Sequence, residues 1–521
     1  MKWKLGGIAV IIIAAFILGV GLGQSYPQSP VSPPTVSNTN VTTNKIVVPD
    51  WIEVEQLNAS WIKSPTVAGA TYVIATQTST NKEHANWICD GSADDVEIKA
   101  AIENLSVSVG YGGKLVLLEG VYNISNSIYP SLPALGITIE GVGNVTLKVS
   151  SGFPADYGVF HGMYMNLTIR NIKIDCNGIA EYGIFFNWEN LVVDNCIIAN
   201  AKFDGIRLDS SGPSGTINAI ITKSRFDGCD EAGIYIDEGC KNIIITDNTF
   251  RNCFAGVQLY YVTSYEKIAN NHFESCSRGV VAKGLHFIIT GNTIEDCEEG
   301  IYVVESSKVI ISNNIMDTCK PPSFFHGIYL GLVDDSIISS NIISDAKYGI
   351  YVHRGENNSI CGNIIKDSID SGIWVGGTGA GLYSAKRHSV EMNTIRNSGN
   401  YGINLTEYAV NIICRNNDVY NGGGVANIRD VGGPNIIQFN RGFTTENSGT
   451  AIISAGSTSV IVNHGLDREP TSADITVTPI TDLAGASYYW FDLVNATSFT
   501  IHVDASPTSD VAFAWRAETS S

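Results

Sequence analysis

Two segments of the chain read Gly205-Ile206-Arg207-Leu208-Asp209 and Gly233-Ile234-Tyr235-Ile236-Asp237. If both are strands lying side by side, side-chain alternation puts Arg207, Asp209, Tyr235 and Asp237 on one outward face. The two carboxylates then stand about 5 Å apart, one strand spacing. Acids that close do not both ionise comfortably without a cation. Three chemistries meet this description. The acids can be the acid and nucleophile of a glycosidase; they can hold Ca²⁺ beside a basic residue that abstracts a sugar-ring proton; or they can be solvated, with Arg207 and Lys283 as counter-charges. Arg207, Asp209, Asp237 and Lys283 are the candidate catalytic residues. Ca²⁺ is the one cofactor the pattern admits, and no metal ligand is assigned.

The same Gly-[Ile/Val]-x-apolar motif begins at Gly183, Gly205, Gly233, Gly256, Gly279, Gly300, Gly327, Gly349, Gly372 and Gly402, mostly at steps of 21 to 23 residues. The residue after each glycine is always Ile or Val, which fixes the inward register. The next position forms an outward column of Phe185, Arg207, Tyr235, Gln258, Val281, Tyr302, Tyr329, Tyr351, Trp374 and Asn404. A second outward column, two residues further on, holds Asp209, Asp237, Tyr260, Lys283 and His353. Tyr235, Tyr260, Tyr302, Tyr329, Tyr351 and Trp374 are the candidate substrate-binding residues. Flat rings suit the apolar faces of sugars, and the same rings also suit ordinary cross-strand stacking. Inserts at 210–218 and 377–389 follow this strand and one at 320–326 precedes it, so that they could wall a groove.

A period near 22 with short Ile/Val runs such as Ile243-Ile244-Ile245 is too short for a helix pair and fits three short strands with turns. The expected fold is all-β: a right-handed, single-stranded parallel β-helix of about eleven coils from near Tyr157 to near Asn440. An asparagine line runs in phase with the glycines (Asn171, Asn195, Asn248, Asn271, Asn292, Asn314, Asn341, Asn363, Asn393 and Asn417), broken by Ser224. Asn at a fixed turn can pass side-chain hydrogen bonds from coil to coil. Cys176, Cys229, Cys253, Cys276, Cys297 and Cys319 keep the same phase, which predicts a buried thiol stack rather than a disulfide framework.

These repeats resemble those of the pectate lyase superfamily and of NosD-like periplasmic proteins over roughly residues 110 to 440. Upstream, Cys89-Asp90-Gly91-Ser92-Ala93-Asp94-Asp95, then Gly112-Gly113-Lys114-Leu115 and Gly120-Val121-Tyr122, look like the entry segment of tailspike proteins, which in that family caps the first coil. The resemblance implies a β-helix that handles carbohydrate. It supplies no catalytic residue, because Gly-His-Gly, Asn-Thr-Asp and Asp-Pro-His motifs are absent from the sequence. Metal delivery, by analogy with NosD-like proteins, lacks a clustered ligand set. Asp94 and Asp95 open an amphipathic stretch and read as helix-start residues.

The remaining organisation follows from composition. Residues 1–23 pair a basic start with an apolar run and read as a signal peptide or membrane anchor. Residues 24–47, rich in Pro, Ser, Thr and Asn, read as a stalk. Residues 48–156 form a cap with the first coils, 157–440 the repeats, and 445–521 a β-sandwich-like C-terminal module. A net charge of -19 disfavours a nucleic-acid partner. The expected protein is extracellular, tethered to the membrane unless its leader is cleaved, and able to form a homo-oligomer. Its expected partner is a polysaccharide or cell-surface glycan, which it binds and, as lyase or hydrolase, cleaves. The rival expectation is a non-catalytic adhesion rod presenting its C-terminal module.

Overall fold

The computed structural model describes residues 70–519, apart from 110–111, 131–133, 155–157, 163, 211–217, 263–264, 318–324 and 380–383. The expected leader and stalk, Cys319 and most of the three inserts lie outside the described residues. Among the described residues, no helix is long and apolar enough to cross a membrane.

Each coil contributes one strand to a 12-stranded sheet that runs from Gly158–His161 to Ala426–Asp430. Two shorter strands per coil, such as Ile243–Thr246 and Thr249–Arg251, continue into parallel ladders of their own. The described residues thus hold twelve such coils, against about eleven expected. The two end coils escape the glycine motif: Phe160 and Ile428 take the inward place of Ile184 and Ile403, but neither follows a glycine.

The glycine line has a packing cause. A Cβ on Gly205 would come within 2.6 Å of the Gly233 carbonyl oxygen, and one on Gly349 within 2.6 Å of that of Gly372. Successive coils therefore touch backbone to backbone at this corner, where no side chain fits. Inside, the aliphatic column from Ile184 to Ile403 is fully buried, and Phe226, Phe250 and Phe273 stack at 4.9 Å centroid spacings. Corners are made by residues in the left-handed region; one coil turns at Asn242, Asp247 and Asn252, with φ of 55°, 58° and 52°. Asn and Asp tolerate that region better than other side chains.

The asparagine ladder is unbroken from Asn248 to Asn440. Asn292 shows the unit. Its Nδ2 donates to Asn314 Oδ1 (2.9 Å) and to the Ile268 carbonyl (3.0 Å), and its backbone N–H donates to Asn314 Oδ1 (3.0 Å). Ser224 extends the ladder, accepting from the Cys196 N–H at 3.1 Å. Asn171 and Asn195, expected on this line, stand one residue earlier, at the left-handed corner, and bond to each other instead. Asparagine is favoured at both adjacent positions, so spacing alone confuses them. The described cysteines of the thiol line, Cys176, Cys229, Cys253, Cys276 and Cys297, are buried, as expected of a thiol stack. Burial is the first cause holding the Cys176 thiol well above its ordinary pKa.

At the N-terminal end the helix Asp95–Val109 covers the first coil with Ile98, Ala101, Ile102 and Leu105. Its two leading acids do more than start it. Asp94 accepts from the backbone N–H of Gly91 (2.9 Å) and of Asn123 (2.7 Å), and Asp95 from that of Ser125 (2.6 Å), which ties the cap to the first long strand. At the other end two three-stranded antiparallel sheets enclose Ile453, Phe499, Ile501 and Phe513.

Candidate functional site

The outward face of the 12-stranded sheet carries the candidate residues. Tyr302 lies opposite Tyr329, Tyr329 opposite Tyr351 and Tyr351 opposite Trp374. Their rings stack nearly parallel, at centroid distances of 4.6, 5.6 and 4.1 Å with interplanar angles of 9°, 11° and 7°. All four are half-buried. The expected column exists, but its flat faces rest on one another. Ring edges and hydroxyls are what it offers along the axis, and burial pushes the Tyr329 hydroxyl up to about 12.

Glycines let two of these rings lie down. A Cβ on Gly331 would meet Tyr329 Cε1 at 2.7 Å, and one on Gly376 would meet Trp374 Cη2 at 2.6 Å. Between those glycines in the second column stands His353. Its Nδ1 is 3.1 Å from Tyr329 Oη, and its ring lies beside those of Tyr329, Tyr351 and Trp374 at 6.4, 6.1 and 6.5 Å. Burial, then the adjacent Arg354 cation, lowers the His353 pKa, which favours the neutral ring.

A third outward column, of residues just before the glycines, was not read from the sequence. Arg278, Glu299, His326 and Tyr348 occupy it on successive coils. Arg278 Nε donates to Glu299 Oε2 at 2.6 Å, and Glu299 Oε1 lies 3.3 Å from His326 Nδ1. Burial opposes ionisation of Glu299, but the bonds from His326 and Arg278 outweigh it and hold the carboxyl below its ordinary value. His326 stacks on Tyr348 (5.6 Å) and meets Tyr329 edge-on (5.0 Å), so this network buttresses the ring column from one side. The signal was available: reading the residue before each glycine as a column of its own gives Asp204, Arg278, Glu299, His326 and Tyr348 at once.

Toward the N-terminal end, the structure rearranges the expected acid constellation. Arg207 lies between two acids, with Nη1 3.3 Å from Asp204 Oδ2 and Nη2 3.5 Å from Asp237 Oδ2, and its guanidinium covers the Tyr235 ring at 4.2 Å. The second Asp237 oxygen accepts the Glu238 N–H at 2.9 Å. Asp209 sits one coil before Asp237, as expected. Lys283 is not part of this group: it pairs with Glu305 and covers the Tyr261 ring at 4.0 Å. Tyr260 follows Leu259, the partner of Ile236, and its ring lies 6.4 Å from that of Tyr235; pairing with the next coil shifts register between Leu259 and Val262, and there Tyr260 packs edge-on against Tyr261. Asp204, which the sequence reading missed, is fully buried, and that burial pushes its pKa up to about 6 against the bonds from the Ala232 N–H and Arg207. A carboxyl so enclosed is positioned to hold Arg207 rather than to reach a ligand.

Among the described residues, Asp209 and Asp237 belong to no group of three donors able to hold a metal ion. Cys89, Asp94 and Glu97 do converge, at the helical cap, where both Asp94 oxygens already accept backbone N–H groups.

Solved structures share this architecture at low sequence identity. Bacteriophage phi29 gene product 12, in its pre-mature form, matches with a TM-score of 0.56 at 15% identity, over 68% of this chain and 55% of that one. The chain thus spans little more than half the length of that protein. A variant tailspike protein of E. coli bacteriophage HK620, in complex with a hexasaccharide, matches with a TM-score of 0.51 at 12% identity, over 82% of this chain and 89% of that one. No curated protein matches the sequence. The family described as right handed beta helix region matches residues 114–273 and 261–387, together more than half of the chain. With coils stacked in parallel register throughout that span, the chain belongs to the right-handed β-helix family.

Proposed function

We propose that this protein binds a polysaccharide laid along the axis of its 12-stranded sheet, with Tyr302, Tyr329, Tyr351 and Trp374 as the binding column. The observation that carries the reading is the regularity of that column: four aromatic rings on four consecutive coils, in parallel planes, with polar groups on both flanks. A polymer lying along the axis meets the same edge-and-hydroxyl chemistry at every coil, which is how repeating binding surfaces recognise repeating ligands. The HK620 tailspike, which shares the fold, holds an oligosaccharide, and that supports a glycan as the ligand class.

In this reading the protein works outside the cell, carried there by residues 1–23 and held off the membrane by residues 24–47. Cleavage near Asp209 and Asp237 is the enzymatic extension of the reading, with Arg207 and Tyr235 at the mouth of the same face. Glycan-array binding by the chain from Val48 onward tests the proposal. The combined Tyr302→Ala, Tyr329→Ala and Trp374→Ala variant is expected to lose binding; full retention of the array pattern would overturn it.

A further inference from the structure

Strand Trp87–Ile88 pairs with Thr71–Ala75, and Cys89 prolongs that pairing by donating its N–H to the Ala75 carbonyl at 2.8 Å. Beyond it the chain turns back through Gly91 and Ala93, both in the left-handed region at φ of 90° and 54°. The turn brings the start of the helix Asp95–Val109 against Cys89. One ligand atom each of Cys89, Asp94 and Glu97 then lie within 4.8 Å of one another.

Each of the three keeps bonding capacity at this point. Cys89 is fully buried, and among the described residues its thiol has no hydrogen-bond partner. Glu97 is partly exposed, but its Oε2 is buried and likewise without a hydrogen-bond partner. Asp94 and Glu97 have the spacing of a capping box, in which the later carboxylate accepts the earlier N–H. Here the Asp94 N–H donates to the Asn123 carbonyl at 2.9 Å, which leaves Glu97 Oε2 unclaimed. Asp94, fully buried, accepts one backbone N–H on each oxygen, from Gly91 and Asn123. A carboxylate oxygen has a second lone pair, so those bonds aim the group without exhausting it. Lys99, on the same helix, is paired with Glu103 at 3.9 Å. Burial first, then the charges of Asp94, Glu97 and Asp90, push the Cys89 thiol up. The cluster is therefore acidic and enclosed, and a cation is the charge that would satisfy it.

We propose that Cys89, Asp94 and Glu97 bind Zn²⁺, which pins the helical cap to the first coil. One thiolate with two carboxylates is a donor set for a borderline-soft divalent ion, with Zn–S of about 2.3 Å and Zn–O of about 2.1 Å. Ca²⁺ and Mg²⁺ take oxygen shells and do not use the sulfur. Three side chains leave the fourth tetrahedral position to water. On binding, the thiol proton leaves to solvent and a sulfur lone pair bonds the ion, while both carboxylates bind ionised. Cys89 continues the strand and Asp94 and Glu97 begin the helix, so one ion joins the two elements that close this end of the stack. The site is independent of the ring column and of any glycan bound there.

The test takes the full chain, reduced and stripped with a chelator, and titrates it with Co²⁺ as a coloured stand-in, then with Zn²⁺ in competition. The expected result is one Co²⁺ per chain with the visible bands of a tetrahedral site and a thiolate charge-transfer band, all displaced by Zn²⁺ and untouched by Ca²⁺. Cys89→Ala should abolish the charge-transfer band although every thiol of the ladder remains. Glu97→Gln, which preserves size at a partly exposed position, should weaken Zn²⁺ about tenfold or more, since even the outer partners of a metal site are worth that much. Zn²⁺ should raise the unfolding midpoint of the wild type and leave that of Cys89→Ala unmoved. Absence of the charge-transfer band in the wild type overturns the proposal, as does a band that survives in Cys89→Ala, which would place the ion at other thiols. Should Cys89→Ala fail to fold, Glu97→Gln decides: unchanged Zn²⁺ affinity there overturns the site.

Discussion

Tyr329 lies over Gly331, two residues along its own strand, so closely that a Cβ there would stand 2.7 Å from ring atom Cε1. The glycine is what allows the ring to recline toward His353 while keeping its stack with Tyr302 and Tyr351. Ring orientation in this column is therefore set by neighbours with no side chain, and the same device recurs at Trp374 and Gly376.

Gly331→Ala should lift the Tyr329 ring and break its contact with His353 while the inward core, led by Ile328 and Leu330, stays packed. Glycan affinity is expected to fall about tenfold, or ~1.4 kcal/mol, with little change in unfolding midpoint. Titration of the variant against the ligand found for the wild type, together with near-ultraviolet circular dichroism, checks both halves.

The ladder separates two kinds of asparagine. Asn292→Ala removes the partner of the Asn271 N–H and leaves the Ile268 carbonyl without its side-chain donor, both deep in the stack. A cost of roughly 1–3 kcal/mol is expected. Asn195→Ala, at an exposed corner, should cost clearly less. Denaturant unfolding of the two variants side by side decides whether the ladder begins where the geometry places it.

Arg207→Ala would strand the fully buried Asp204 beside Asp237, and removal of one partner of a buried pair costs roughly 3–5 kcal/mol. Denaturant unfolding checks it: a midpoint equal to that of the wild type would show that Asp204 does not depend on Arg207.

His388 gives the fold a pH dependence of definite sign. It is fully buried, its Nδ1 accepts the Asn358 N–H at 3.1 Å, and burial lowers its pKa from the model-compound 6.5 to about 4. The unfolded chain therefore binds a proton between those values that the folded chain does not, so stability is intact above pH ~6.5 and is lost as pH falls toward ~4. The loss is at most on the order of 3 kcal/mol. His388→Asn, which matches the neighbouring Asn358, should flatten that part of the stability profile; an unchanged slope between pH 6.5 and 4 would count against it.

How much of this was legible without coordinates differs from residue to residue. The invariant Ile or Val after each glycine located the inward face, and the outward columns followed from alternation; the observed pairings of Tyr302, Tyr329, Tyr351 and Trp374 are the ones that register requires. The coil count fell one short because the end coils carry Phe160 and Ile428 without a preceding glycine. Lys283 was placed with the acids on counting alone, and it departs to Glu305 where the pairing of its strand shifts register.

The sequence by itself determined the parallel β-helix, the phase of its coils and which side chains share its outer face, because a repeat near 22 residues and a strand period of two leave one register that buries the Ile or Val after every repeat glycine. The tertiary structure decided how those side chains use their neighbours. Rings chose to stack face to face, Arg207 chose Asp204 over solvent, His353 found Tyr329, and the ladder passed over Asn195 in favour of Cys196 and Ser224. Those outcomes turn on rotamers and on shifts of a residue or two between coils, and they are fixed only when each coil is packed against the next.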